Sequence, residues 1–248
     1  MKSEIYTQFW KKIGQTDPYF GVLTHPEYRS DQIDADAKEA FFASGKLSVE
    51  DTLAKIKKNW PKKDFGTANA LDFGCGTGRL SLALSEYCER VTGVDVSEAM
   101  LAEAEKNKQE KNISNVTFVN IPDHPPFLKE KYDFIYSEIV FQHIPTDKGM
   151  LILDHLLDHL VPGGSAFLQL TYNNISTPRE KWIQKLTFTF PRLGRLLTGA
   201  SGYFFPMFDY NLNEVFALLQ RNNVHQVHQV FGNSGNHQFV KLYFNKRK

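Results

Sequence analysis

From Leu71 to Arg79 the chain reads Leu-Asp-Phe-Gly-Cys-Gly-Thr-Gly-Arg, and few folds accommodate that run. Apolar residues up to Phe73 predict a strand, glycines follow at 74, 76 and 78, and Leu80, Ala83, Leu84 and Tyr87 recur at helical spacing. Glycine lets a backbone turn tightly and lets a ligand lie against it. A helix that starts at such a turn aims unpaired N–H groups and its positive dipole end at the same ligand. A second strand, Arg90–Asp95, ends in an acid about twenty residues beyond the first glycine, the spacing of a group that takes ribose hydroxyls. A dinucleotide fingerprint, G-x-G-x-x-G, would need glycine at 79, and Arg79 stands there.

After Ala68 short apolar stretches alternate with helical ones, which argues for βαβ units and a parallel sheet. Further strands are predicted over residues 116–119, 134–137, 166–170, 224–230 and 238–244, the last two joined by a turn at 232–236. Residues 1–65 read as helices. Ile5, Phe9, Trp10 and Ile13 share one face with Gly14 as a stop, a second helix over 35–44 ends at Gly45, and Ser48 caps a third over 49–60. The stretch 17–28 is aromatic and twice broken by proline, as a loop would be. Residues 173–210 form an aromatic insertion with Trp182, Phe190, Tyr203, Phe204, Phe205, Phe208, Arg179, Arg192 and Arg195, and a helix over 211–221 follows.

Asp72 followed by G-x-G-x-G resembles the first motif of class I S-adenosylmethionine-dependent methyltransferases. Gly-Val-Asp-Val-Ser-Glu-Ala-Met-Leu at 93–101 resembles that family's second motif. Residues 131–137 resemble its fourth strand, and Leu-Val-Pro-Gly-Gly at 160–164 the turn before its fifth. The resemblance covers 68–172 and implies an α/β fold: a Rossmann-like, doubly wound, seven-stranded sheet, mostly parallel with an antiparallel C-terminal hairpin. N-terminal helices and a helical insertion before strand six complete it. One methyltransferase domain over 1–248 is expected, with a cap (1–65), a cofactor-binding core (66–172), a cover (173–210) and a C-terminal helix and hairpin (211–248). The resemblance also implies S-adenosyl-L-methionine as cofactor, held by Asp72, Phe73, Gly74, Cys75, Gly76, Gly78, Asp95, Val96, Met100, Ile121, Pro122 and Ser137. Ile121 stands where the family often has an acid near the adenine amino group; Asp123 lies two residues on.

The implied reaction is methyl transfer to an oxygen or nitrogen nucleophile of a small molecule. A catalytically silent binding or regulatory subunit is the alternative, and the intact Asp72, glycines and Asp95 count against it. Methyl transfer needs proximity and alignment first, and a base only where the nucleophile carries a proton. His143 is the leading candidate base, followed by Glu138, His25, Tyr19 and His237, although a histidine in its position is more often structural. Tyr19, Phe20 and Phe205 are candidate acceptor contacts if the stretches 17–28 and 173–210 close as a lid; a staple holding the cap to the core is the competing reading. His155 and His159 have i, i+4 spacing without an H-E-x-x-H acid, so no metal is expected and that face reads as solvated.

A formal net charge of +1 gives no field favouring nucleic acid or an anionic membrane. No apolar run reaches membrane-spanning length and no signal region opens the chain. Cys75 and Cys88 form neither a disulfide framework nor a ligand spacing, so a reduced, cytoplasmic setting is the default. Partners are expected to be a small-molecule acceptor and, at most, a second copy in a homodimer.

Overall fold

The computed structural model describes residues 2–189 and 205–248. Phe190, Arg192, Arg195, Tyr203 and Phe204 of the expected cover lie outside the described residues.

The strands are β1 (Asn69–Phe73), β2 (Arg90–Asp95), β3 (Val116–Asn120), β4 (Tyr132–Ser137), β5 (Leu160–Asn174), β6 (Val227–Ser234) and β7 (His237–Asn245). They form one seven-stranded sheet in the order β3-β2-β1-β4-β5-β7-β6. Pairing is parallel from β3 to β5, and β7 runs antiparallel to both β5 and β6. The expected doubly wound sheet with an antiparallel hairpin is therefore present. The hairpin turns at Gly235, two residues inside the expected loop, because β6 continues pairing through Gly232 to Ser234.

Around the sheet lie α1 (Lys2–Thr16), α2 (Pro18–Val22), α3 (Ala35–Asn59), α4 (Arg79–Leu84), α5 (Glu98–Glu110), α6 (Thr146–His159), α7 (Pro178–Thr189) and α8 (Leu212–Arg221). Both sheet faces are covered. Ala166, Leu168 and Leu170 of β5 join one apolar cluster with Leu156 and Leu157 of α6 and Leu218 and Leu219 of α8. Phe167, pointing the other way as strand alternation requires, joins Phe41, Ile56 and Leu84 of α3 and α4. Ser97 caps α5 as expected, its hydroxyl accepting from the Met100 N–H.

Two glycines expected to end helices lie inside them instead. α1 runs on through Gly14, and α3 is one helix capped by Asp34, whose carboxylate accepts from the Ala37 N–H at 2.8 Å. Both glycines are contact points. A Cβ on Gly14 would fall 2.4 Å from Ser97 Oγ, and one on Gly45 would fall 2.5 Å from the Arg79 carbonyl oxygen. Ser48, inside α3, is no cap: its hydroxyl donates to Glu138 Oε2 at 2.7 Å. Glycine to alanine inside a helix ordinarily stabilises by roughly 0.5–1 kcal/mol. Gly45→Ala is expected to do the reverse and cost about 1–3 kcal/mol, because a backbone carbonyl must move to admit the methyl group. Thermal unfolding measures it, and a raised melting temperature would refute the contact role.

Residues 17–28, expected as a loop, contain α2 and a short 3-10 turn, Pro26–Tyr28. The His155 face is not solvated. His155 Nε2 accepts from the backbone N–H groups of Phe127 and Leu128 at 3.3 and 3.1 Å, and its ring packs on Phe127.

Candidate functional site: a cleft at the carboxyl edge of the sheet

Strand order reverses direction between β1 and β4, and in open α/β sheets the crevice outside the strands' carboxyl ends opens there. The structure has a cleft at that place, enclosing about 1100 Å³ including its open mouth. Its floor is Phe73, Gly74, Cys75 and Gly76 after β1, Asp95 and Val96 after β2, Ile121, Pro122 and Asp123 after β3, and Glu138 to Val140 after β4. Its roof is the cap: Tyr6, Thr7 and Trp10 of α1, and Gly21 and Val22 of α2.

Gly74, Gly76 and Gly78 have φ values of +78°, +52° and +86°, a left-handed conformation that side chains resist. The space beside them is filled by the protein, not left for a ligand as the sequence suggested. A Cβ on Gly74 would meet the Val140 methyls at 2.5 Å, and one on Gly76 would meet Val22 Cγ2 at 2.6 Å. Burial pushes the Cys75 thiol well above its ordinary range, so it serves as a small neutral side chain.

Asp95 is held by its neighbours. Oδ2 accepts from the Gly76 N–H at 3.0 Å and Oδ1 from the Ser97 N–H at 2.8 Å, which leaves each oxygen a further lone pair. Burial raises its pKa and these backbone bonds oppose the rise. Beyond it, Val94, Val96, Met100, Ile121, Phe127 and Ile152 make an apolar slot. A clamped carboxylate beside an apolar slot fits a nucleoside, with the ribose diol on Asp95 and the base between the apolar side chains.

Asp72, Gly78 and Ser137, expected as cofactor contacts, do not line the cleft; they brace it from behind. Asp72 is 1% exposed; Oδ2 accepts the Ser81 hydroxyl at 2.6 Å, and Oδ1 has no partner. Burial lifts its pKa to about 7, against the Ser81 hydrogen bond and the Arg79 charge. The Ser137 hydroxyl donates to the Phe73 carbonyl at 3.1 Å, tying β4 to β1. Gly78 is backed by Phe118 and Ala104.

The candidate bases are mostly committed elsewhere. Glu138 Oε1 pairs with Lys241 at 2.9 Å, and Oε2 takes Ser48 at 2.7 Å and Arg79 at 3.3 Å. Burial works against its charge, yet Lys241 and Arg79 hold the carboxyl below its usual range. His25 is exposed beside Glu27, and His237 lies outside the cleft lining. His143 does line the cleft. Its Nδ1 lies 2.8 Å from the Pro206 carbonyl and so donates, its Nε2 lies 3.1 Å from the Gln142 amide nitrogen, and Trp10 packs on the ring at 4.8 Å. Burial pulls its pKa down to about 4, and the Pro206 bond opposes this only partly.

Neither Tyr19, Phe20 nor Phe205 lines the cleft. Phe205 packs against Phe9, Trp10, Phe20 and His143, behind the roof. Tyr19 points away from the cleft. Its hydroxyl lies 2.7 Å from Glu103 Oε1 and 2.8 Å from Asn107 Oδ1, and Asn107 Nδ2 donates to the Thr77 carbonyl at 3.0 Å. It is thus a staple from the cap through α5 to the glycine turn. Tyr19→Phe is expected to lower stability by about 1–3 kcal/mol by leaving Asn107 short of a partner. Chemical denaturation checks this; unchanged stability would mean that the staple carries no energy. Residues the sequence did not single out for the site include Trp10, Val22, Phe127 and Lys148. The only signal for Trp10 was its place on the apolar face of α1.

A doubly wound sheet of this order, with an acid-clamped cleft at its switch point, defines the class I methyltransferase architecture. Residues 70–164 match the family described as methyltransferase domain. Over 122 residues the chain is 29% identical to the ubiquinone biosynthesis O-methyltransferase of Pseudomonas savastanoi pv. phaseolicola, a match covering 48% of this chain and 52% of that one. Over 102 residues it is 31% identical to a probable S-adenosyl-L-methionine-dependent methyltransferase, TehB, of Haemophilus influenzae, covering 41% of this chain and 35% of the relative. The chain thus spans about half the length, or less, of the curated relatives it matches. Its fold is similar to that of magnesium protoporphyrin IX methyltransferase from Synechocystis, solved with bound SAH. The TM-score is 0.65 at 20% identity, covering 99% of each chain. The chain is a class I S-adenosylmethionine-dependent methyltransferase, with S-adenosylmethionine as its cofactor.

Among the described residues no helix is long and apolar enough to cross a membrane, and no cluster of three or more His, Cys, Asp or Glu side chains could hold a metal ion.

Proposed function

We propose that the protein transfers a methyl group from S-adenosylmethionine to an oxygen or nitrogen nucleophile of a small, partly apolar acceptor. The observation that carries this reading is the roof: Tyr6 and Trp10 of α1 close over the clamped Asp95 and its apolar slot, making an enclosure rather than an open groove. The cofactor supplies an already activated methyl group. Asp95 fixes the ribose, Ile121 and Phe127 flank the base, and the cap excludes water, so that acceleration comes from proximity and alignment. His143, neutral at physiological pH and engaged at both ring nitrogens, orients the wall beside Trp10 rather than taking the acceptor's proton. A small acceptor agrees with the ubiquinone biosynthesis O-methyltransferase and magnesium protoporphyrin IX methyltransferase named above. A cytoplasmic setting belongs to the same reading.

The test is S-adenosylhomocysteine formation from S-adenosylmethionine over a panel of phenols, carboxylates and amines. Turnover on one class supports the reading. Tight cofactor binding with no turnover on any acceptor would favour the silent binding subunit.

A further inference from the structure

Arg79, which excluded a dinucleotide fingerprint, has no part in the account so far, yet it lines the cleft. Its side chain is 5% exposed, and its donors are poorly used. Nη1 reaches Ser44 Oγ and Nη2 reaches Glu138 Oε2, both at the long distance of 3.3 Å, and Nε has no partner. A guanidinium carries five N–H donors, and buried ones are normally satisfied by bidentate bonds nearer 2.7–2.9 Å. Glu138 does not balance Arg79 alone, because Lys241 shares the same carboxylate at 2.9 Å. Asp72 adds little charge, since burial holds it largely protonated below about pH 7. Positive charge and an unused donor are therefore left at the cleft wall.

The position along the cleft says what that donor faces. The carboxyl ends run β3, β2, β1, β4 across the sheet. Asp95, which fits the ribose, ends β2, and the apolar slot lies toward Ile121 after β3. The base end of a nucleoside ligand therefore lies toward β3, and whatever hangs from the other side of the ribose lies toward β1 and β4. Arg79 follows the glycine turn after β1, and its partner Glu138 follows β4. The second cation of the cleft lining among the described residues, Lys148, is committed to Asp123 at 2.6 Å. We infer that Arg79 binds the carboxylate of the cofactor's amino-acid end. The assignment rests on the S-adenosylmethionine reading above and adds a residue to it.

The test compares two nucleosides by calorimetry. S-adenosylhomocysteine carries the amino-acid end, whereas 5′-methylthioadenosine keeps adenine and ribose and lacks the carboxylate. Arg79→Gln is expected to weaken S-adenosylhomocysteine about 10- to 100-fold, the range for one or two charge-assisted bonds. The affinity for methylthioadenosine should stay within about threefold, well below the effect of one such bond. Arg79→Lys, which keeps charge and loses the fork, should show the same selectivity with a smaller loss, and it stands in if the glutamine variant does not fold. Equal weakening of both nucleosides means a structural arginine and overturns the assignment, as does unchanged affinity for S-adenosylhomocysteine. Wild-type protein that binds neither nucleoside would overturn the cofactor reading and this assignment with it.

Discussion

Asp95→Ala is expected to lower the affinity for S-adenosylhomocysteine by about 100-fold or more. Two charge-assisted hydrogen bonds to the ribose diol are lost, each worth roughly 1.5–3 kcal/mol. The substitution also frees the Gly76 and Ser97 N–H groups that the carboxylate now holds at 3.0 and 2.8 Å, so the glycine turn loses its brace. Asp95→Asn should fall between, because an amide keeps one acceptor oxygen and turns its NH₂ toward a backbone donor. Calorimetric titration of both variants decides the matter. If neither variant changes affinity, Asp95 is only the entry residue of α5, and the ribose lies elsewhere.

That acid was legible because everything that places it is local: a strand, a glycine turn and a second strand of the expected length. β2 falls where the sequence put it, and the hairpin strands differ only at their ends, since the register of a half-buried strand is fixed by its own alternation. What stayed hidden depends on partners far along the chain. Nothing near Gly14 or Gly45 distinguishes a helix stop from a helix contact; the difference is made by Ser97 and by Arg79, which arrive from other elements. Glu138 looked available because Lys241, its ion-pair partner, lies 103 residues away on β7. Tyr19 looked like a lid residue because its aromatic neighbours in sequence suggested a surface to close. The side chains that hold it, Glu103 and Asn107, sit on one turn of α5, and only the packing of α2 brings them together.

Two buried groups behind and beside the cleft should make stability nearly flat between about pH 6.5 and pH 4, for opposite reasons. Asp72 has its pKa raised to about 7 by burial, above the value near 3.9 of an unfolded aspartate. As pH falls below 7, the native state takes up this proton before the unfolded chain does, so Asp72 adds stability down to about pH 4. His143 has its pKa lowered to about 4, below the unfolded value near 6.5. As pH falls below 6.5 the unfolded chain binds that proton first, so His143 removes stability over the same interval. Each contribution is of order 3 kcal/mol at about 1.4 kcal/mol per pKa unit, less for His143 because its ring edge is partly open to the cleft. Removing either group should expose the other. His143→Gln is expected to become more stable on acidification from pH 6.5 to 4, and Asp72→Asn less stable, each by about 2–3 kcal/mol relative to wild type. Urea denaturation at a series of pH values reads both slopes. Parallel curves for wild type and the two variants would mean that neither group titrates in this window, and that both sit in far better solvated surroundings than the structure gives them.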